Sequence, residues 1–224
     1  MPNVIVRAPI SPKKVQRLYD VLSPIYDQLT RNENLSKEKG LEIADIKNGF
    51  ITLEVGFGTG QIVIESALRV GKDGKVYGID ISRKMLDKTR KKIKKHALDR
   101  RVDLQLGDAR KLPYRKEVFD IVFNSYMLDL IDTPDISKVL VEFSRVLKPR
   151  GRLVLVGLSK GEKWYSNMKL YEWVYSKCPS LLGGCRPVLI KSFLEELGFQ
   201  NVKRKFLMVG RIIPTEIVWG DKPK

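Results

Sequence analysis

The 224-residue chain has few of the side chains that bind soft metal ions, because it contains only Cys178, Cys185 and His96 of those types. A structural zinc site needs four nitrogen or sulfur ligands. This composition therefore speaks against chemistry that depends on a Cys or His metal site, and we expect no metal centre. We interpret Cys178 and Cys185 as a buried pair of thiols.

Long apolar runs are absent, and acidic residues are outnumbered. No stretch of about 18 uncharged apolar residues occurs, and residues 1–14 lack the apolar core of a signal peptide, so we expect a soluble cytoplasmic protein. Lys and Arg number 42 against 26 Asp and Glu, which gives a formal net charge of +16. Such an excess favours an anionic partner, namely nucleic acid, a lipid surface or a phosphorylated small molecule.

Strand-like and helix-like segments alternate through the middle of the chain. Apolar residues at three- and four-residue spacing predict helices over 82–98, with Ser82 as N-cap, and over 133–151, with Thr133 as N-cap. After Gly198, residues 201–207 and 211–220 predict a β-hairpin. Short β-rich runs cover 51–56, 75–80, 102–107, 119–124 and 152–158. The pattern predicts one α/β domain over residues 1–224, with a doubly wound, mostly parallel seven-stranded sheet and a C-terminal antiparallel hairpin.

Two regions lie outside this alternation. Residues 12–35 predict an N-terminal helical cap that carries two Tyr-Asp doublets, Tyr19-Asp20 and Tyr26-Asp27. Residues 159–188 form an insert between the fifth strand and the next helix. An insert of this length in a compact domain usually serves as a lid or a binding element.

Three glycines, Gly56, Gly58 and Gly60, stand where the first strand gives way to a helix. Glycines at a helix N-terminus let a ligand approach free backbone N–H groups, although a tight structural turn could also use them. Asp80 ends the second strand, where a carboxylate can bind both hydroxyls of a ribose; the alternative is a helix-capping aspartate. Asp108 ends the third strand. The sequence therefore predicts a nucleoside site at three adjacent strand ends.

These motifs resemble those of the class I S-adenosylmethionine-dependent methyltransferases, in the branch that includes the ubiquinone/menaquinone C-methyltransferases. The resemblance covers nearly the whole chain. It also includes the Tyr-Asp doublets and the run from Arg145 to Gly151. The three strand-end motifs that match are Glu54-Val55-Gly56-Phe57-Gly58-Thr59-Gly60, Gly78-Ile79-Asp80-Ile81-Ser82 and Gly107-Asp108-Ala109.

The resemblance implies S-adenosylmethionine as the cofactor and assigns a role to each matching position. Glu54 would lie near the amino group of the methionine moiety, above a turn made by Gly56, Phe57, Gly58 and Gly60. Asp80 would bind the ribose, Ile81 would flank the adenine, and Asp108 with the Ala109 amide would read the adenine edge. Asn124 would line the site near the transferred methyl group. Tyr19 or Tyr26 would close it from above, unless both are core aromatics of an amphipathic helix.

No catalytic residue stands out. Methyl transfer from a sulfonium is an in-line displacement that mainly requires alignment and exclusion of water. We expect His96 to be a solvated surface residue, whereas Tyr126, Asp129 and Asp132 follow the fourth strand, where a base could lie. The run Asn124-Ser125-Tyr126-Met127 departs from the Asn/Asp-Pro-Pro-Tyr/Phe motif of nucleic-acid amino-methylases, which argues against exocyclic base amines.

The insert combines aromatic and basic residues, as an interfacial helix does. The alternative is a helix that simply packs on the sheet. The residues concerned are Trp164, Tyr165, Leu170, Tyr171, Trp173, Val174 and Tyr175, with Lys160, Lys163, Lys169 and Lys177.

We predict a small hydrophobic or amphiphilic acceptor, a quinone-like ring or a lipid head group, approached by reversible contact with an anionic membrane surface. Nucleic acid is the alternative partner, for an RNA-associated methyltransferase or a non-catalytic cofactor-binding subunit of an RNA-modifying complex. The sequence predicts neither the methylated atom nor the oligomeric state.

Overall fold

A seven-stranded sheet organises the computed structural model, which describes residues 11–160, 166–178, 184–210 and 213–224. The strand order is β3-β2-β1-β4-β5-β7-β6, with β1 to β5 parallel and β7 antiparallel to both β5 and β6. The strands are β1 (Ile51–Val55), β2 (Lys75–Asp80), β3 (Val102–Leu106), β4 (Phe119–Ser125), β5 (Leu147–Leu158), β6 (Gln200–Val209) and β7 (Ile213–Asp221). The predicted fold class, including the C-terminal hairpin, is confirmed.

Eight helices within the described residues flank this sheet. They are α1 (Pro12–Leu22), α2 (Tyr26–Leu29), α3 (Asn34–Ala44), α4 (Gln61–Arg69), α5 (Arg83–Lys95), α6 (Thr133–Val146), α7 (Ser166–Lys177) and α8 (Ile190–Glu196), and a 3-10 turn covers Arg31–Glu33. No helix in the described part of the chain is both long and apolar enough to cross a membrane. The predicted N-terminal cap, residues 12–35, is mainly helical.

Of three local predictions about helix ends, one is confirmed and two need correction. Ser82 caps α5 as expected, since its side chain accepts a hydrogen bond from the Met85 N–H. Thr133 is not the cap of α6; Asp132 precedes it and accepts the Thr133 N–H. The helix predicted over 133–151 ends at Val146, and residues 147–151 instead begin β5, with an irregular register opposite Phe119.

The sheet separates two apolar cores. On β5, Val154 and Val156 pack with α3, α4 and α5 on one face, whereas Leu153 and Leu155 pack with α6 and α8 on the other. Both faces of a parallel strand are covered in such a fold, which explains the uninterrupted apolar run. The loops after β1 to β4 therefore converge at one edge of the sheet, where the ends of the parallel strands meet.

Candidate functional site

A cavity of about 480 Å³ lies at this edge, between the carboxyl ends of β1 to β4 and the N-terminal helices. Its volume falls in the range of small-molecule and cofactor sites. Its walls include Gly56, Gly58, Asp80, Ile81, Asp108 and Ala109 from the strand ends, Tyr19 and Tyr26 from the N-terminal helices, and Tyr126, Met127, Leu130, Ile131 and Asp132 beyond β4. Residues that the sequence predicts from four separate motifs thus line one space.

The three glycines of the turn after β1 have positive φ values, but they serve different purposes. A side-chain carbon added at Gly56 would lie 2.7 Å from Met127 Cβ, and one at Gly60 would lie 2.3 Å from Thr89 Cγ2. At Gly58 the nearest atom would be Tyr26 Cε1 at 3.5 Å, an ordinary contact across the cavity. Gly56 and Gly60 are therefore required for packing, and Gly58 keeps the cavity wall open to a close-fitting ligand.

Asp80 faces the cavity with both carboxylate oxygens partly engaged. Oδ2 accepts the Gly58 N–H at 2.8 Å and Oδ1 accepts the Ser82 N–H at 2.8 Å. A carboxylate offers about four lone-pair positions, so each oxygen retains capacity for a further donor. Burial raises the pKa of Asp80 to about 6. The group is therefore ionised at neutral pH and can accept hydrogen bonds from ligand hydroxyl groups.

Glu54 lies behind the glycine turn and not on the cavity wall. It is 3% exposed, and burial raises the pKa of its carboxyl group well above the usual value. The backbone of Val63, in the first turn of α4, donates a hydrogen bond to it. Among the described residues, Glu54 Oε2 has no hydrogen-bond partner. The site therefore keeps one buried acceptor close to where a cationic ligand group was predicted.

Asp108 lines the cavity, but Arg110 already occupies its carboxylate. Arg110 donates to both Asp108 oxygens through Nε, and its Nη1 donates to Asp135 at 3.1 Å. These hydrogen bonds hold the pKa of Asp108 below its usual value. An adenine amino group could reach this carboxylate only by sharing it with Arg110.

The structure corrects the expectation for Asn124. Its side chain is fully buried beneath the cavity, and its amide donates to the Val55 carbonyl at 2.7 Å, which ties β4 to β1. Asn124 therefore joins the strands beneath the cavity, and its side chain is not part of the cavity wall. Phe57 is likewise turned inward, since its ring packs against the α-carbon of Gly78.

The Tyr-Asp doublets divide two tasks between their residues. The rings of Tyr19 and Tyr26 line the cavity with centroids 5.8 Å apart, and burial raises the pKa of both hydroxyls, which stay protonated. Asp20 accepts a hydrogen bond from Ser82 at 2.6 Å. Asp27 accepts hydrogen bonds from Thr59 and Lys92. The aspartates therefore fasten the helical cap to the loops after β1 and β2, a role that the sequence reasoning missed although the doublets signalled it.

The end of the cavity beyond β4 is mainly apolar. Met127, Leu130 and Ile131 line it beside the ring of Tyr126. Tyr126 adopts a left-handed backbone (φ 57°), and its hydroxyl lies 2.8 Å from Ser36 Oγ and 3.2 Å from Thr215 Oγ1. A bulky residue at positive φ is strained and persists only where its surroundings hold it. Apart from their position after β4, no sequence pattern marks Met127 or Leu130 as part of the site.

None of the candidate bases is positioned as one. Asp129 is fully buried away from the cavity, and its Oδ2 accepts the Leu158 N–H at 2.8 Å. Asp132 lines the cavity, but its carboxylate caps α6. His96 is exposed at the far end of α5, as predicted. Within the described ranges, no group of three or more His, Cys, Asp or Glu could hold a metal ion.

The insert places one residue, Cys185, beside the cavity wall. Its two cysteines do not form the buried pair of thiols that we expected. Cys185 lies 3.8 Å from the Tyr19 hydroxyl, and its carbonyl accepts the Tyr171 hydroxyl at 2.9 Å. Cys178 is exposed and both thiols are free, so the interpretation as a buried pair is wrong. Tyr175 is buried and Trp173 is 60% exposed, whereas Trp164, Tyr165 and Lys163 lie outside the described residues.

Sequence comparisons find methyltransferases. A family model described as a methyltransferase domain matches residues 52–151. A demethylmenaquinone methyltransferase from Lactobacillus johnsonii is 32% identical over 215 residues, which cover 85% of this chain and 86% of that protein.

Solved structures share the fold. A SAM-dependent methyltransferase from Aquifex aeolicus has a TM-score of 0.63 and 24% identity, over 95% of this chain and 98% of that one. A phosphoethanolamine N-methyltransferase from Haemonchus contortus, in complex with phosphomonomethylethanolamine and S-adenosylhomocysteine, has a TM-score of 0.73 and 18% identity, over 96% and 61% of the two chains. At these identities the structural similarity concerns the fold alone.

Proposed function

We propose a quinone-like methyl acceptor for this chain, which belongs to the class I S-adenosylmethionine-dependent methyltransferases, in the branch that includes the ubiquinone/menaquinone C-methyltransferases. The chain is thus a methyltransferase that depends on S-adenosylmethionine. The cofactor positions and the acceptor are our proposals, argued from the two ends of the cavity.

The polar end suits the cofactor. The acceptor capacity that the Asp80 carboxylate retains suits the hydroxyls of a ribose, and Ile81 beside it offers an apolar contact for the adenine. Gly58 leaves room for the methionine backbone, since a side-chain carbon there would project toward Tyr26. The unpartnered oxygen of Glu54 fits a nearby ammonium group, provided that the ligand reaches behind the turn. We assign the Ala109 amide, with a share of Asp108, to the adenine edge.

The cofactor supplies an electrophilic methyl group on a sulfonium. The protein's task is to align the acceptor with that methyl group and to exclude water. Tyr19 and Tyr26 cover the cavity, and Asp20 and Asp27 hold them there through Ser82 and Thr59. The N-terminal cap therefore serves as the cover of the reaction space.

The apolar end suits an aromatic ring. Met127, Leu130 and Ile131 give the space beyond β4 a mainly apolar lining, in which Asp132 is the charged residue, and Tyr126 borders the same space. This contrast between a polar and an apolar end is the observation that carries the proposal. The name of the Lactobacillus johnsonii relative points to a menaquinone precursor, in which a ring carbon would gain the methyl group and lose a proton.

The proposal is tested with methyl-labelled S-adenosylmethionine and the purified chain. The acceptors offered separately are a reduced naphthoquinone with a short isoprenoid chain, phosphoethanolamine and total RNA. We expect label in the naphthoquinol alone. Label in phosphoethanolamine would indicate that the acceptor is a lipid head group and not a quinone-like ring. Label only in RNA would favour the RNA-associated alternative. Binding of the cofactor without any methyl transfer would favour a non-catalytic subunit.

A further inference from the structure

The helical segment over residues 12–29 has an outer face that the cavity does not use. Val21, Ile25 and Leu29 follow one another at four-residue spacing and are 72%, 48% and 57% exposed. The backbone stays helix-like between α1 and α2, because Ile25 N–H bonds to Leu22 and Leu29 N–H bonds to Ile25. At about 100° per residue, the centre of this stripe lies roughly 110° around the helix axis from Tyr19 and Tyr26, which face the cavity.

Other exposed apolar side chains lie near the same edge of the sheet. The described residues include nine large hydrophobic side chains that are exposed, and only Leu68 and Val141 of these lie on other surfaces, on α4 and α6. Leu35 precedes Ser36, which bonds to Tyr126 at the end of β4. The hairpin end that carries Met208 and Ile213 adjoins the cap, since Gly210 lies against Asn32. Trp173 follows Tyr171, whose hydroxyl bonds to Cys185.

The charges around this stripe are positive. Lys13, Lys14 and Arg17 are exposed on α1, and the ion pairs formed among the described residues do not involve them. The two aspartates of the segment, Asp20 and Asp27, are bound on its inner side to Ser82, Thr59 and Lys92. The outer face therefore combines apolar side chains with cations that have no ion-pair partner among the described residues, as helices that lie in a lipid interface do.

We propose that this outer face, defined by Lys14, Arg17, Val21, Ile25 and Leu29, docks on an anionic lipid bilayer. The three apolar side chains would enter the boundary of the acyl chains, and the two cations would lie among the phosphates. Docking would place the cover of the cavity, and with it Tyr19 and Tyr26, against the lipid in which a long-chain acceptor is dissolved. The purpose of docking rests on the proposed acceptor, whereas the docking surface is argued from its exposed side chains alone.

Co-sedimentation with phosphatidylcholine vesicles, with and without phosphatidylglycerol, tests the surface. We expect binding to the anionic vesicles only, weakened by salt. The triple variant V21S/I25S/L29S should bind at least about tenfold more weakly, and K14Q/R17Q about 25-fold, from about fivefold per cation. The matched controls are L68S/V141S, which removes exposed apolar side chains elsewhere, and K94Q/K95Q at the far end of α5; both should stay within about twofold.

A second assay separates docking from catalysis. Methyl transfer to a water-soluble naphthoquinol with a short chain should be unchanged in V21S/I25S/L29S, and thermal unfolding should show that the variant is folded. The docking surface would be overturned if the chain did not bind vesicles, or if V21S/I25S/L29S bound them as well as its control L68S/V141S does. It would also be overturned if the unaltered chain were a dimer that V21S/I25S/L29S, but not L68S/V141S, converted to monomers. Vesicle binding as expected without transfer to any quinol would leave the docking surface standing and remove the proposed acceptor.

Discussion

Alanine substitutions at Gly58 and at Gly198 distinguish a glycine that we propose is needed for ligand binding from one that is needed only for its backbone conformation. Gly58 has φ +52° and lines the cavity, whereas Gly198, after α8, has φ +79° and no heavy atom within 4 Å of an added side-chain carbon. Both positions therefore impose a similar backbone penalty on alanine. Only the one at Gly58 lies where we propose that the cofactor approaches the chain.

The magnitudes follow from these two environments. A left-handed conformation costs a non-glycine residue about 1–2 kcal/mol, and a loss of about 1 kcal/mol lowers the Tm of a chain of this size by about 2–4 °C. Gly58→Ala and Gly198→Ala should thus both lower the Tm by roughly 2–8 °C. An extra methyl group in a well-packed contact costs about 1–3 kcal/mol. We therefore expect Gly58→Ala, and not Gly198→Ala, to weaken cofactor binding about 5- to 150-fold.

Calorimetric titration with S-adenosylmethionine, at a temperature well below both Tm values, measures the difference. Differential scanning calorimetry of the two variants checks that their losses of stability match. If Gly58→Ala binds the cofactor as tightly as Gly198→Ala does, the methionine moiety does not approach the turn at Gly58. That result would refute the placement of the cofactor and not merely its strength.

Three further predictions concern single contacts. Because the pKa of Asp80 is about 6, its carboxylate is lost as the pH falls through 6; cofactor affinity should be constant above about pH 7 and fall below 6, and Asp80→Asn should bind about 10- to 100-fold more weakly without that pH dependence. Gly60→Ala should destabilise the protein because its new carbon meets Thr89 Cγ2 at 2.3 Å, and Thr89→Ser, which removes that methyl group, should restore part of the Tm in the double variant. Iodoacetamide should label exposed Cys178 well before Cys185, whose thiol pKa burial raises, and peptide mass spectrometry would detect the reverse order.

The parts of the site that the sequence predicted are those that the backbone determines. A strand end followed by glycines fixes the place of Gly56 and Gly58, and the alternation of strands and helices brings Asp80 and Asp108 to the same edge. These positions depend on local geometry and on parallel pairing. Both the local geometry and the parallel pairing leave patterns of two to six residues in the sequence.

Side-chain directions at the same strand ends were less predictable. Glu54 and Asn124 belong to the predicted motifs, yet both turn away from the cavity wall, one toward the Val63 backbone and the other toward the Val55 carbonyl. Successive residues of a strand point to opposite faces, so a slip of one position decides whether a side chain faces the ligand or supports it. The sequence identifies the strand end, but the partners that hold Asn124 lie on another strand.

The acceptor end draws on segments that are far apart in the chain. Tyr19, Tyr126 and Cys185 come together there, although more than a hundred residues separate the first two. No local pattern specifies such a meeting, because each contact depends on how the cap and the insert fold back over the sheet. A fold of this kind can therefore keep its cofactor turn while the covering segments change, and the same frame serves different acceptors. The identity of the acceptor is consequently a question about the N-terminal cap and the loop after β4, and substitutions there, at Met127 or Leu130, should change which acceptor is methylated more than how tightly the cofactor binds.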